Sequence, residues 1–141
     1  MKLNRKDVTM YTDGSITKNP GGIGGCAAIL LFENHRKELS EGNFECTTNN
    51  RMELQACIIG LKALNQSCNV VINTDSQYVI KVMTMHKKFV VNNDLITELK
   101  ELCRQHKVKW EWVRGHNGNP ENERCDQLAK ESIGIWKKKG K

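Results

Sequence analysis

One segment, residues 47–64, divides the chain into two kinds of pattern, and it reads TTNNRMELQACIIGLKAL. Apolar residues recur in it at the spacing of one helix face, namely Leu54, Cys57, Ile58, Leu61 and Leu64. This spacing predicts an amphipathic helix, and the polar TTNN run before it supplies candidates for the N-cap. The residues before the helix show only short strand-like runs, whereas strands and helices alternate after it.

The remaining elements follow from apolar runs bounded by turn residues. Strands are predicted at residues 8–12, 25–32, 38–45, 69–74 and 108–113, with Asp13-Gly14-Ser15 ending the first and His35-Arg36-Lys37 forming the turn before the third. Further helices are predicted from an Asp75-Ser76 cap, from an Asp94 cap, and from Pro120 to about Ile133. The order β-β-β-α-β-α-α-β-α predicts an α/β fold with a mixed five-stranded sheet and helices packed on it.

The composition is that of one soluble globular domain, since 38% of the 141 residues are hydrophobic and 27% are charged. We expect a single domain over residues 1–136 and a flexible basic tail over residues 137–141. No run approaches the roughly 20 apolar residues of a membrane-spanning helix. The N-terminus also lacks the apolar segment of a secretory signal, so we expect a cytoplasmic protein. The net charge of +6 favours a polyanionic partner, but only modestly.

The cysteines are scattered along the chain. They are Cys26, Cys46, Cys57, Cys68, Cys103 and Cys125, with no C-x-x-C pair and no histidine at zinc-ligand spacing. We expect small buried or half-buried thiols in a reducing compartment, rather than disulfides or a zinc site.

Four acidic residues lie where apolar structure begins or ends. Asp13 follows the first predicted strand and Asp75 the fourth, whereas Glu53 lies in the first helix and Asp126 in the last. If the two strands are parallel neighbours, Asp13 and Asp75 emerge at the same edge of the sheet, where open α/β sheets place their sites. Taken singly, each acid has an ordinary structural explanation as a helix cap, a turn former or a solvated charge.

The surroundings of these four acids resemble type 1 ribonuclease H. The matching motifs are DGS and NPG within residues 13–21, TTNNRMEL at 47–54, TDSQYV at 74–79, and WEWV, GHNG and PENERCD within 110–126. They occur in order, at the spacing ordinary for the family, and each contains one of the acids. The resemblance implies a ribonuclease H-like fold and an endonuclease that hydrolyses the RNA strand of RNA–DNA hybrids, leaving 5′-phosphate and 3′-hydroxyl ends.

The same resemblance implies that the four carboxylates bind two Mg²⁺ ions, for which Mn²⁺ can substitute. Oxygen ligands suit this hard cation. Asp13 is expected to bridge both ions, Asp126 to hold the ion that activates water, and Glu53 and Asp75 to hold the ion beside the leaving group. Two ions roughly 3.5–4 Å apart can stabilise both the attacking and the leaving oxygen. Without metal, such clustered acids raise each other's pKa values.

A histidine loop follows the last strand. His116 lies between Gly115 and Gly118, and the resemblance implies that it carries a proton or assists product release. An imidazole can do either, because it titrates near neutral pH. A histidine outside such a motif is more often an ordinary surface residue of a turn. Glu121 either assists His116 or favours the start of the last helix, and both interpretations stay open.

Five polar residues match family positions that contact the hybrid. Asn19, Asn49 and Gln77 are implied to contact 2′-hydroxyls and base edges in the minor groove, which is how RNA is distinguished from DNA. Thr48 and Asn92 are implied to hold a phosphate of the DNA strand. Turn and cap formation is the alternative for these residues, and Thr48 or Asn49 can do both.

Two departures from the family concern how the substrate is held. Many relatives have a long basic, tryptophan-rich protrusion before the phosphate-binding asparagine, whereas residues 80–91 here contain lysines but no tryptophan. In addition, Cys46 stands where relatives often have arginine. We hypothesise that the tail at residues 137–141 partly compensates as a phosphate contact, in which case its deletion flattens the salt dependence of binding. A solvated tail is the alternative.

The tryptophans are candidates for stacking on bases, but core packing is expected for Trp110 and Trp112, which alternate onto one face of a strand. Two further alternatives concern function. One is a ribonuclease H domain of a reverse transcriptase, although an initiating Met1 favours a free protein. The other is a non-catalytic hybrid-binding module, although binding alone needs no four mutually repelling acids. We expect a monomer that binds RNA–DNA hybrid, with no membrane and no obligate protein partner.

Overall fold

The computed structural model describes residues 5–114 and 118–134. Within them, strands and helices follow the predicted order: β1 Lys6–Ile16, β2 Gly24–Phe32, β3 His35–Phe44, α1 Asn49–Lys62, β4 Cys68–Thr74, α2 Gln77–Thr84, α3 Asn93–Arg104, β5 Lys107–Trp112 and α4 Pro120–Glu131. The predicted fold class is thereby confirmed. Both His116 and the predicted tail at residues 137–141 lie outside the described residues.

The sheet is mixed, with strand order β3-β2-β1-β4-β5. Strand β1 pairs antiparallel with β2 and parallel with β4, β3 pairs antiparallel with β2, and β4 pairs parallel with β5. The carboxyl ends of β1 and β4 therefore lie at the same edge of the sheet, which is the juxtaposition expected for the residues that follow them.

Helices cover both faces of the sheet. On one face, α1 packs Leu54 and Ile58 against Met10 and Ile72, and Leu99 of α3 joins the same core. On the other face, α4 packs through its buried cysteine and alanine: Cys125 and Ala129 contact Ala27 and Ile29 of β2. Because α1 lies between the sheet and α3, residues nearly all around it are buried from Met52 to Leu61, a wider face than the apolar spacing indicates.

The first strand does not end where the sequence predicted. Asp13-Gly14-Ser15 was expected to terminate it, yet β1 continues to Ile16 because its antiparallel pairing with β2 extends that far. The parallel pairing with β4 ends earlier, at Tyr11. Asp13 therefore lies on β1, two residues beyond its last parallel pair.

The predicted turn at His35-Arg36-Lys37 is also wrong. Phe32 pairs directly with His35, so the hairpin turns at Glu33 and Asn34, with Glu33 at φ +52°. His35, Arg36 and Lys37 are strand residues of β3. A glutamate with positive φ is uncommon, which is why the sequence favoured the polar run after it as the turn.

One helix start differs from its predicted cap. The predicted Asp75-Ser76 cap of α2 is confirmed at Ser76, whose Oγ accepts from the backbone N of Val79 at 3.1 Å. Asp94 does not cap α3 but lies in its first turn, after Asn92 at the N-cap position, and its carboxylate pairs with Arg51 instead. For α1 the cap lies within the expected TTNN run, at Thr48.

Two predictions of burial fail. Cys46 is exposed in the turn before α1, whereas Cys26, Cys57, Cys68 and Cys125 are buried and Cys103 is half-buried, all as free thiols. Trp110 packs on the core as expected, but Trp112 is 46% exposed, because it ends the edge strand β5 beyond the cover of the helices. Among the described helices, none has the length and hydropathy to span a membrane.

Candidate active site

Three of the four predicted carboxylates meet at the shared edge of β1 and β4. Asp13 of β1, Glu53 of α1 and Asp75 after β4 each place one carboxylate oxygen within 4.8 Å of the other two. Asp13 and Glu53 are each only 5% exposed. Oxygen ligands from β1, from the residue after β4 and from α1 thus converge at one point.

A glycine allows the strand and the helix to approach this closely. A Cβ on Gly14 would lie 2.8 Å from the backbone carbon of Met52 and 2.9 Å from the backbone nitrogen of Glu53. Only hydrogen fits there, so β1 packs directly on the first turns of α1. The backbone N of Gly14 also donates to Oδ1 of Asp13 at 2.9 Å, which orients that carboxylate.

Burial and neighbouring carboxylate charges oppose the ionisation of Asp13 and Glu53. Burial, followed by the charges of Asp75 and Asp126, raises the pKa of Asp13 from 3.8 to about 8. Burial and the charges of Asp13 and Asp75 raise the pKa of Glu53 well above its ordinary value. Such a cluster favours either bound protons or a bound cation.

Asp126 lies near the cluster but outside the group of three. Its charge contributes to the raised pKa of Asp13, so it is within electrostatic range. Its Oδ2 is paired with the ammonium of Lys130 at 3.0 Å, one helical turn further along α4. The carboxylate of Asp126 is therefore held by Lys130 on the same helix.

The donor set fits a hard divalent cation. Every group in it is a carboxylate, and Oε1 of Glu53 is buried with no hydrogen-bond partner among the described residues. A buried acceptor without a partner is uncommon and calls for an explanation such as an ion. Mg²⁺ prefers oxygen ligands and is bound through a small number of carboxylates.

Three of the predicted substrate-contacting residues lie together at the start of α1. The loop after β1 is attached to this region by backbone hydrogen bonds from Gly21 N to Thr47 O and from Thr47 N to Gly22 O. Within it, the Oδ1 of Asn19 accepts from the backbone N of Asn49 at 3.1 Å. Asn19, Thr48 and Asn49 thus form one polar surface beside Glu53.

The other two predicted contacts lie on neighbouring elements. Gln77 is exposed at the first residue of α2, two residues after Asp75. Asn92 precedes α3, and its amide contacts Arg51 and Tyr78. Sequence reasoning missed both of these partners. They lie inside the second and third motifs, but their contact with a residue 41 or 14 positions away has no signal in the sequence.

Glu121 proves to have a structural partner. Its carboxylate accepts from Nε and Nη2 of Arg36 on β3, at 2.8–3.2 Å, and Arg36 also pairs with Glu38. Arg124 of α4 bonds Glu38 in turn. The four charges link the edge strand β3 to the beginning of α4, the helix that carries Asp126.

Comparisons with known proteins agree on one family. The family model for RNase H matches residues 5–134. The chain is 50% identical to a ribonuclease H of Desulforamulus reducens, over 89% of this chain and 87% of that one, and 47% identical to a ribonuclease H of Aeromonas salmonicida, over 90% of each.

Solved structures give the same picture. LC9-RNase H1, a type 1 RNase H with the type 2 active-site motif, matches with a TM-score of 0.84 at 26% identity, covering 95% of this chain and 75% of that one. LC11-RNase H1, solved in complex with RNA/DNA hybrid, has the same fold, with a TM-score of 0.76 at 21% identity over 91% of this chain and 97% of that one. With its sheet order, its carboxylate cluster and its matched length, the chain belongs to the ribonuclease H family.

Proposed function

We propose that this protein is an endonuclease that hydrolyses the RNA strand of RNA–DNA hybrids and leaves 5′-phosphate and 3′-hydroxyl ends. The observation that carries the proposal is the convergence of Asp13, Glu53 and Asp75 in a chain of this family. Relatives of about half-identical sequence are named ribonuclease H, and a protein of the same fold has been solved with RNA/DNA hybrid.

Asp13, Glu53, Asp75 and Asp126 would hold two divalent ions, for which we propose Mg²⁺, with Mn²⁺ as a substitute. When bound, such ions stabilise the attacking and leaving oxygens of an in-line displacement at phosphate. The chain itself supplies closely held carboxylates whose ionisation burial and mutual repulsion oppose. A cation relieves that repulsion, so ion binding and deprotonation of these acids are coupled.

Proton transfer or product release is the role that we assign to His116. The assignment rests on its motif, since His116 lies outside the described residues. An imidazole with an ordinary pKa can accept and return a proton near neutral pH. Glu121 holds the start of α4 through Arg36, so we assign it a structural role.

Recognition of RNA is assigned to the polar surface beside the carboxylates. Asn19, Asn49 and Gln77 would contact 2′-hydroxyls and base edges across the shallow minor groove. Thr48 and Asn92 would hold a phosphate of the DNA strand. Because amide and hydroxyl groups both donate and accept, these residues can distinguish a 2′-hydroxyl from a hydrogen.

The test is cleavage of end-labelled RNA–DNA hybrid, duplex RNA and duplex DNA with Mg²⁺ or Mn²⁺. We expect cleavage of the hybrid's RNA strand alone, by a protein that sediments as a monomer and needs no partner. Phosphatase sensitivity of the 5′ ends would identify the products. Cleavage of duplex DNA would overturn the proposal, and tight hybrid binding without cleavage would indicate a binding module instead.

Matched variants locate the chemistry. Asp75→Asn removes one charge from the cluster and should reduce the rate by at least a hundredfold, since catalytic metal sites depend on each carboxylate. Asp7→Asn makes the same change at the opposite end of β1, where Asp7 bonds Asn69, and should leave the rate near that of the unmodified protein. Equal rates for the two variants would contradict the assignment.

A further inference from the structure

The side-chain amide of Asn92 is held from two sides. Its Oδ1 accepts from Nη1 of Arg51 at 3.3 Å, and its Nδ2 donates to the hydroxyl of Tyr78 at 2.9 Å. Arg51 belongs to α1 and Tyr78 to α2, while Asn92 immediately precedes α3. Three helices therefore meet at this one amide.

Arg51 determines which way the amide faces. A guanidinium only donates hydrogen bonds, so the amide atom beside it has to be the oxygen. A flipped amide would place its own N–H groups against those of Arg51. With Oδ1 fixed, Nδ2 faces the Tyr78 side, and one of its two N–H groups is used by the hydroxyl. Among residues 5–114 and 118–134 the second N–H has no acceptor, so it can donate to an oxygen of a ligand.

Arg51 is itself anchored. Its Nη1 and Nη2 bond the two carboxylate oxygens of Asp94 at 3.0 and 2.8 Å. The guanidinium lowers the pKa of Asp94 to about 2, so the pair is fully ionised at neutral pH. The backbone N of Arg51 also donates to Oγ1 of Thr48 at 3.2 Å. One residue thus contacts both members of the proposed phosphate pocket, Thr48 and Asn92.

We propose that Arg51, anchored by Asp94, is a positioning residue that turns the Asn92 amide so that it donates to a phosphate of the DNA strand. Tyr78 is the second anchor of the same amide. This inference rests on the proposed function, because it takes that phosphate as the ligand of Thr48 and Asn92. Because Asp94 balances the charge of Arg51, Arg51 contributes orientation of the amide rather than net attraction of the phosphate. No arginine at position 46 adds such attraction, since this chain has Cys46 where relatives often have arginine.

A double-mutant cycle tests the positioning role. Binding of fluorescent RNA–DNA hybrid is measured by anisotropy in EDTA, so that neither metal nor cleavage enters, for Arg51→Met, Asn92→Ala and the double variant. Arg51→Met and Asn92→Ala should each weaken binding about tenfold to a hundredfold, the equivalent of one hydrogen bond to a charged group. The double variant should be no weaker than Asn92→Ala. Losses that multiply would contradict the proposal.

A substrate series identifies the group that Asn92 contacts. Single phosphates of the DNA strand are replaced by uncharged methylphosphonate, one position at a time. One position should weaken binding of the unmodified protein most and have a clearly smaller effect on Asn92→Ala and Arg51→Met, in which Thr48 alone still holds that phosphate. If Arg51→Met remains as sensitive as the unmodified protein at that position, Arg51 does not act through Asn92.

Two control variants separate this effect from charge and from folding. Arg104→Met removes an arginine that pairs with Glu101 at the far end of α3, and it should change hybrid binding less than twofold at constant salt. Tyr78→Phe keeps the Arg51 anchor and most of the packing. It should weaken binding about twofold to threefold, and that loss should disappear in the Asn92→Ala background. Equal losses for Arg104→Met and Arg51→Met would show a charge effect and overturn the proposal.

Failure of the proposed function has a different signature. If the protein neither prefers hybrid over duplex DNA nor cleaves hybrid, the proposed function itself is wrong. If it binds and cleaves hybrid, but the losses of affinity in Arg51→Met and Asn92→Ala multiply in the double variant, only the positioning role of Arg51 is wrong.

Discussion

Trp112 is a single residue that fixes the backbone carrying one of the acids, Asp75. Its indole Nε1 donates to the backbone carbonyl of Asp75 at 3.3 Å, and the next backbone N, of Val113, donates to Thr74 at 2.9 Å. The ring itself is 46% exposed. Trp112 also pairs with Thr74 of β4, so its indole N–H adds a side-chain hydrogen bond to the turn that carries Asp75.

We expect Trp112→Phe to weaken metal binding without unfolding the protein. The change keeps a ring and removes the indole N–H, which is worth about threefold to tenfold in affinity for a neutral hydrogen bond. Mg²⁺ or Mn²⁺ titration by calorimetry measures this directly, and the metal dependence of cleavage should shift by a similar factor.

Trp110→Phe is the matched control on the same strand. Trp110 packs on the core and pairs with Ile72 of β4, whereas the indole that donates to Asp75 is that of Trp112. It should lower thermal stability while leaving the metal affinity unchanged. If Trp112→Phe binds metal as tightly as the unmodified protein, the indole has no role in holding Asp75.

At the scale of elements, the decisive contact is that of β1 with the first turns of α1. Gly14→Ala would place a methyl group 2.8 Å from the backbone of Met52, so the strand and the helix have to separate. We expect a loss of about 1–3 kcal/mol in the free energy of unfolding, typical of overpacking. The carboxylates of Asp13 and Glu53 move apart with the two elements, so Mg²⁺ affinity should fall as well.

Gly21→Ala separates this steric effect from ordinary backbone strain. Gly21 has φ +94° and no atom within 4 Å of an added Cβ, so alanine there is strained but not crowded. It should cost about 1 kcal/mol of stability and leave Mg²⁺ affinity unchanged. Urea unfolding and calorimetry compare the two variants. Equal metal affinities for both would show that the β1–α1 distance does not set the site.

The elements also show which features a sequence can predict. Hydrophobic spacing predicted α1 and the order of strands and helices along the chain, because burial selects for that spacing directly. The end of β1 was missed because it depends on a pairing partner: β2 continues the ladder past Asp13, where β4 does not. The pair of Arg51 with Asp94, and that of Arg36 with Glu121, join residues 43 and 85 positions apart. Such contacts are properties of the packed molecule and leave no local pattern.

At the scale of the whole molecule, packing of the apolar core holds the acidic residues together against the repulsion between their carboxylates. The parallel pair of β1 and β4 and the helix α1 are fixed by a continuous apolar core. This core keeps Asp13, Glu53 and Asp75 within 4.8 Å of one another. Repulsion between these carboxylates lowers the free energy of unfolding of the whole domain. The stability of the metal-free protein should therefore depend on pH.

Asp13 and His106 contribute with opposite sign, and Glu53, whose pKa is also raised, contributes with the sign of Asp13. The pKa of Asp13 is raised from 3.8 to about 8, so the folded protein retains a proton that the unfolded chain has released. Its contribution to stability is complete below about pH 4 and is lost as the pH rises through about 8. Burial lowers the pKa of His106, whose Nδ1 accepts from the backbone N of Cys68 at 3.1 Å. Its contribution is present above 6.5 and is lost as the pH falls.

The variant Asp13→Asn isolates the carboxylate effect, because His106 is unchanged in it. In EDTA, urea unfolding of the unmodified protein should lose at least about 1.4 kcal/mol relative to Asp13→Asn between about pH 5 and about pH 9, the equivalent of one pKa unit. Excess Mg²⁺ should abolish that loss in the unmodified protein, because the ion binds the deprotonated acids and stabilises the folded state by mass action. Asp13→Asn should gain little from Mg²⁺. If the two proteins lose stability in parallel as the pH rises, repulsion within the cluster does not limit the stability of the fold.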